Sequence, residues 1–234
     1  MKHLKKFETR TAYEAAKNHI IIPSVSYIIE DNDVEYRPYI EINGVKWATM
    51  NVGATASTDA GLYFQWGDTQ GYTAEQVGTD KTFNWANYKY SDNGTTAMTK
   101  YNNTDGKTVL DAEDDAVTAA WGGNWRMATK DDFDRLSNVC STALTSNYIG
   151  SGAAGLVFTV TADTADKGKE LFFPAAGIAV NDDTPIIGNF GYYWTSSLSS
   201  TVNAYDVDFV GGSTTVGDPS PRYYGFPVRG VLNE

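Results

Sequence analysis

The chain has a single cysteine among its 234 residues, Cys140, so no intrachain disulfide framework can hold it together. Histidine is nearly as scarce. His3 and His19 are the only two, and everything after position 19 lacks the side chain that most often serves as general base or metal ligand. Positive charge is also in short supply. The 18 Lys and Arg against 29 Asp and Glu leave a formal net charge of -11, and such a surface repels phosphate backbones. Nucleic acid is therefore excluded as a partner, and anionic membrane surfaces are disfavoured for the same reason. The longest apolar run, Leu171 to Val180, is broken by Pro174 and falls far short of the ~20 residues a spanning helix needs, so no membrane insertion is expected. A secretory signal is missing too. Lys2, Lys5 and Lys6 lead into the polar stretch Phe7 to Thr11 where an apolar segment would be required, which predicts synthesis in the cytoplasm without a signal peptide.

What is present suits a globular protein with one main core: 41% hydrophobic, 13% aromatic and 20% charged residues. Near the N-terminus, Thr11 and Glu14 form a capping box that predicts a short helix, Pro23 enforces extended chain, and Val25 to Ile29 reads as a strand ended by Glu30 to Asp33. Residues 1–38 are thus expected to be a separate leader or attachment segment, and residues 39–234 the main domain. Ile40 and Ile42 alternate into Asn43-Gly44, and Val45 and Trp47 alternate out, the pattern of a tight hairpin. From Gly53 to Asn103 the composition predicts long loops pinned by aromatic anchors. A helix is predicted from an Asp111 cap to Ala120, and a second from Thr129, with Phe133, Leu136 and Cys140 on one buried face. Strands are then predicted at Gly155 to Val160, Glu170 to Phe173, Tyr192 to Thr195, Ala204 to Phe209 and Gly225 to Leu232. Helices followed by strands indicate an α+β fold and argue against a doubly wound parallel sheet.

Several motifs stand in a recognisable order. Ile42-Asn43-Gly44-Val45-Lys46-Trp47-Ala48, Asn51-Val52-Gly53-Ala54 and Phe64-Gln65-Trp66-Gly67-Asp68 come first. Trp121 to Thr129, which resembles a G-W-R-L-P-T signature, then leads into the helix with Phe133 and Leu136. Phe172 to Gly177, Tyr193-Trp194-Thr195-Ser196-Ser197 and Gly225 to Val231 complete the series. Over residues 39–234 the chain resembles the Fibrobacter succinogenes major paralogous domain family, which is related to formylglycine-generating sulfatase-modifying domains and to variable proteins of diversity-generating retroelements. The resemblance implies a C-type-lectin-like fold with two helices, a small antiparallel core in which the first and last strands pair, and long loops that carry binding. Ala128 stands where that signature has proline, and Phe133 near its tryptophan; both leave the apolar helix face intact. Residues 1–38 more loosely resemble leader segments of gut-phage and prophage proteins.

The related enzymes use paired cysteines with copper or a histidine cluster with iron, and this chain has neither, so no cofactor and no catalysis are expected. Cys140 reads as a buried structural thiol. The best-placed oxygen donors for calcium are Asn181-Asp182-Asp183 and the strand carboxylates Asp206 and Asp208, where plain turn and strand polarity is the alternative, and no metal site is expected. The Tyr, Ser, Asn, Gly and Asp between Tyr192 and Tyr224 have the composition of a paratope, although loop-rich β proteins collect the same residues. Position in the related variable proteins nominates Tyr192, Ser199, Ser200, Asn203, Tyr205, Asp206, Asp208, Ser213, Asp218, Ser220, Arg222 and Tyr223 as ligand-binding. Alternation puts Tyr205 and Val207 on one strand face and Asp206 and Asp208 on the other. Trp194, Phe226 and Val228 read as core, and Arg229 as a structural donor. The resemblance implies a non-catalytic ligand- or receptor-binding protein, a hypervariable phage or prophage surface-recognition protein on a virion surface. Its partner would be a cell-surface protein or glycan, with homo-oligomerisation or attachment to a virion through residues 1–38. A structural virion or envelope domain and a degenerate sulfatase-modifying-type enzyme remain the alternatives.

Overall fold

In the computed structural model, Asn43 and Gly44 both adopt positive φ, 50° and 74°, and so join two strands in the tight turn their sequence predicts: β3 (Tyr39–Ile42) and β4 (Val45–Asn51). The structure describes residues 6–7, 28–29 and 37–233. The chain divides into two compact units, Met1–Tyr39 and Ile40–Glu234. In the first, β1 (Lys6–Phe7) and β2 (Ile28–Ile29) pair in parallel. The helix predicted around Thr11 lies outside the described residues, as does most of the strand predicted from Val25.

The second unit is α+β, with two helices and three small antiparallel sheets. The first sheet has the order β3-β4-β12-β5, where β5 is Trp125–Met127 and β12 is Arg229–Leu232. Val231 faces Trp47 and Gly230 faces Met127, so the opening hairpin and the last strand do pair. Helix α1 (Ala116–Trp121) lies so close to Gly230 that a Cβ there would meet the Trp121 ring at 2.3 Å. The second sheet, β6-β7-β8, joins Cys140–Thr145, Gly155–Val160 and Glu170–Pro174. The third, β9-β10-β11, joins Gly191–Leu198, Asn203–Val210 and Ser213–Pro221.

Helix α2 (Lys130–Ser137) begins at a reciprocal cap, Thr129 accepting from the Asp132 amide while the Asp132 carboxylate accepts from the Thr129 amide. The predicted helix from Asp111 is instead a 3₁₀ turn (Ala112–Asp114) followed by α1, because Asp115 is the true cap. Its carboxylate accepts from the amides of Val117 and Thr118, each at 2.9 Å, and from that of Met127 at 2.8 Å, so one side chain starts the helix and ties it to β5. Cys140 also departs from expectation. Helix α2 ends at Ser137, and Cys140 opens β6, half-buried against the core, where burial pushes its thiol up to about 11.

The third sheet separates two apolar clusters. Tyr193, Val207 and Phe209 join Trp47, Phe133 and Phe173 on one side, while Trp194 and Ala204 join Trp66, Phe226 and Val228 on the other. Arg229 is fully buried and donates to Asn51 Oδ1, to the Ala48 carbonyl and to the Phe172 carbonyl, with its guanidinium 4.3 Å from the Phe173 ring centroid. Arg229→Leu should therefore strand two buried carbonyls and lower stability by about 3 kcal/mol in urea unfolding; a loss under ~0.5 kcal/mol would show that these bonds are dispensable.

Candidate functional site

The carboxylates of the β9-β10-β11 sheet lie on the side opposite α2. Along β10, Tyr205 points to that helix, with the Lys130 ammonium 5.8 Å from its ring, while Asp206 and Asp208 share the face of Ala204. Across the strands Asp206 opposes Trp194 and Asp218, and Asp208 opposes Tyr192 and Thr215. A bulge at Gly217, which has φ of 85°, keeps Asp218 level with Asp206. A Cβ at that glycine would also strike Lys130 at 2.4 Å.

Burial and charge conflict on this face. Asp206 has no exposed surface, and neither of its carboxylate oxygens is hydrogen-bonded in good geometry, although the Ser220 hydroxyl stands close enough to favour the charged form; one oxygen of Asp208 is unpartnered. Burial pushes Asp206 up to about 8, with Asp208 and Asp218 adding to the rise and the neighbouring Ser220 hydroxyl opposing it. Burial, then Asp218, raises Asp208 as well. Tyr192 is raised by burial and then by the same carboxylates.

Beside the carboxylates runs a ribbon of aromatic rings. Tyr192 stacks on Phe226 at 5.1 Å, Tyr224 packs on Phe226 and on Tyr223, and Tyr223 meets Trp85 at 4.7 Å. Tyr192, Tyr223, Tyr224 and Trp85 are all half-buried, each presenting part of a ring to solvent. Trp85 comes from the 3₁₀ turn Trp85–Asn87, started by the Asn84 side chain, in the long loops.

The nominated residues thus separate into groups. Tyr192, Asp206, Asp208, Asp218 and Ser220 share one sheet face, and Tyr223 adjoins it through the ribbon. Tyr205 looks the other way. Ser199, Ser200 and Asn203 form the β9–β10 turn, where Ser200 Oγ accepts from the Val202 and Asn203 amides. Ser213 follows the turn at the opposite end of β10, roughly 25 Å away for eight-residue strands, so these residues cannot meet one small ligand. Arg222 is corrected outright. It is fully buried and donates to Tyr88 Oη and to the carbonyls of Lys100, Tyr101 and Thr201, with its guanidinium 4.9 Å from the Trp66 ring. Tyr224 ends the stretch read as a contact surface without being nominated itself, and Trp85 lies outside it, because nothing in its sequence neighbourhood shows that its loop comes to rest beside Tyr223.

A metal is a separate question. Among the described residues, one trio of carboxylates has oxygens within 4.8 Å of one another, Asp111, Glu113 and Asp114. The Lys100 ammonium sits on all three, at 2.8, 2.7 and 2.6 Å, where a cation would be. Lys100, Lys89 and Tyr101 hold Asp114 well below the usual carboxylate range despite its burial. Asp182 accepts from the Thr82 hydroxyl. Neither it nor Asp206 belongs to a converging trio.

No protein-family model, curated protein or solved structure significantly matches the chain.

Asp206 makes a signed prediction. Unfolded, its carboxyl ionises near pH 4, whereas folded it keeps its proton to about 8, so the folded state holds one extra proton in between. The stability from that proton is complete below about pH 4 and is lost as pH rises towards 8, at most ~1.4 kcal/mol per pH unit. Asp206→Asn has no such proton. Its stability relative to the parent should climb from pH 5 to pH 8 in urea unfolding, and a difference flat across that range would contradict the assignment. Arg222→Met, by contrast, should cost about 3 kcal/mol at any of these pH values, while Ser213→Ala should stay within ~0.5.

Proposed function

We propose that this chain is a non-catalytic ligand-binding protein whose contact surface is the Tyr192, Asp206, Asp208 and Asp218 face together with the Tyr223, Tyr224 and Trp85 ribbon. The observation that carries the reading is the unpartnered Asp206 carboxylate, buried at the foot of a half-exposed aromatic wall. Folding alone gains nothing from such a group, since an apolar residue of similar size would be more stable there. Rigid tyrosines expose amphipathic contact area at low rotamer cost. The residues resemble those of retroelement variable proteins in composition and order, which supports a C-type-lectin-like receptor-recognition role, with residues 1–38 as the attachment segment and a cell-surface protein or glycan as the partner.

A carboxyl kept protonated by burial beside other carboxyl groups is also the arrangement of an acid–base pair. Binding is favoured because the described residues contain no histidine to work with such a pair, and the one cysteine has a raised pKa.

The test uses the full chain, fluorescently labelled, on arrays of bacterial surface glycans and of displayed surface proteins. The expected result is saturable binding to a subset of spots, reduced at least tenfold by Tyr192→Ser with Tyr224→Ser and unchanged by Ser213→Ala. Binding that survives the tyrosine double variant, with that variant still folded, would move the contact surface elsewhere. In the encoding genome, the hypervariable form of the proposal further expects a reverse-transcriptase gene beside a near-copy of the codons for about Tyr192 to Tyr224, differing at adenines.

A further inference from the structure

Among the described residues, the buried carboxylates away from this face are satisfied. Asp114 has Lys89, Lys100 and Tyr101; Asp115 has three backbone amides; Asp132 has Arg126 and Thr129. Asp206 breaks the pattern. It is fully buried with both oxygens unpartnered, Asp218 stands opposite it across the strand pair, and Asp208 lies two residues along the same strand face. Among the described residues no lysine or arginine pairs with any of the three. The nearby Lys130 is turned to the other face, where it binds Asp134 and lies over Tyr205. A buried carboxylate cluster is costly to keep: below about pH 8 Asp206 avoids the cost by holding its proton, and a positive charge arriving at this face stabilises the ionised form instead.

We propose that this face receives a cationic side chain, arginine above all, presented by a protein ligand. The inference rests on the reading of this face as the binding surface and names the chemistry that it selects. Spacing favours an organic cation over a metal ion. The carboxylate trio whose oxygens lie within 4.8 Å of one another is at Asp111, Glu113 and Asp114, so Asp206, Asp208 and Asp218 are spread more widely than a single ion tolerates. A guanidinium carries five donors in a planar fork and bridges acceptors at that wider spacing. Tyr192 lies opposite Asp208 with its ring partly exposed, and Tyr224 neighbours it, so an aromatic face is available to the flat cation. The same chain already binds one guanidinium in this manner internally, Arg222 among Trp66, Tyr88 and Tyr101.

The experiment is a titration of the ¹⁵N-labelled full chain with the capped peptide Gly-Arg-Gly, with its citrulline counterpart, and with calcium chloride. The arginine peptide should shift the amides of Tyr192, Asp206, Asp208 and Asp218 saturably, with the citrulline peptide at least tenfold weaker. Asp206→Asn with Asp208→Asn should abolish the difference, and the exposed Asp218→Asn alone should reduce it, which keeps the test decisive if the double variant folds poorly. Equal shifts at this face from both peptides would overturn the cationic assignment while leaving the binding surface in place. Shifts confined to another part of the chain would overturn both. Saturation of the same amides by calcium with no response to the arginine peptide would replace the organic cation by a metal, and no response to any of the three would overturn the inference.

Discussion

The buried guanidinium of Arg222 is the constraint on which the candidate surface depends. It gathers carbonyls from Lys100 and Tyr101 in the long loops and from Thr201 in the β9–β10 turn, and it donates to the Tyr88 hydroxyl. Its own backbone completes the junction, the amide bonding the Val202 carbonyl and the carbonyl accepting from the Trp66 amide. Loops with little regular hydrogen bonding are thereby fixed to the end of β11. Tyr223 and Tyr224 follow immediately in the chain, so the position of the aromatic ribbon is inherited from this charge. Arg229 does the same work at the other core, joining β12, β4 and β8.

Set against these two satisfied arginines, the Asp206 face is the place where the chain departs from its own practice. Asp111, Glu113 and Asp114 show that clustered carboxylates are readily supplied with an internal lysine. At Asp206 that lysine is missing and burial is nevertheless complete. Stability given up at one buried position, in a fold that compensates its charges elsewhere, accords with a site shaped by binding.

Local chemistry made much of the fold readable in advance. Asn43-Gly44 demanded a tight turn, Thr129 with Asp132 marked a helix start, and alternation exposed most of the strands. What stayed hidden depended on distant contacts or on residues with two roles. Strand β11 holds Gly217, Pro219 and Pro221, which read as loop; they are tolerated because β11 is an edge strand, where a missing amide costs no ladder bond, and because the glycine forms a bulge. Asp111 reads as the cap, but Asp115 takes that role, because its carboxylate bonds the Val117 and Thr118 amides and also the distant Met127 amide. At the site, the alternation of Asp206 and Asp208 against Tyr205 was legible. The burial of Arg222 was not, because its acceptors lie as far as 134 residues away.

The central claim is that the polar residues of this sheet face serve a ligand and not the fold. A saturation scan of positions 191–224 scored by protease resistance separates the two most directly. The account predicts that neutral replacements at Asp206 and Asp208 equal or exceed the parent in stability at pH 8, and that those at Tyr192, Asp218 and Tyr224 are tolerated, while replacements at Arg222 and Trp194 unfold the chain. If neutral residues at Asp206 and Asp208 destabilised the protein as severely as those at Arg222, the carboxylates would be structural and the assignment of this face would be contradicted.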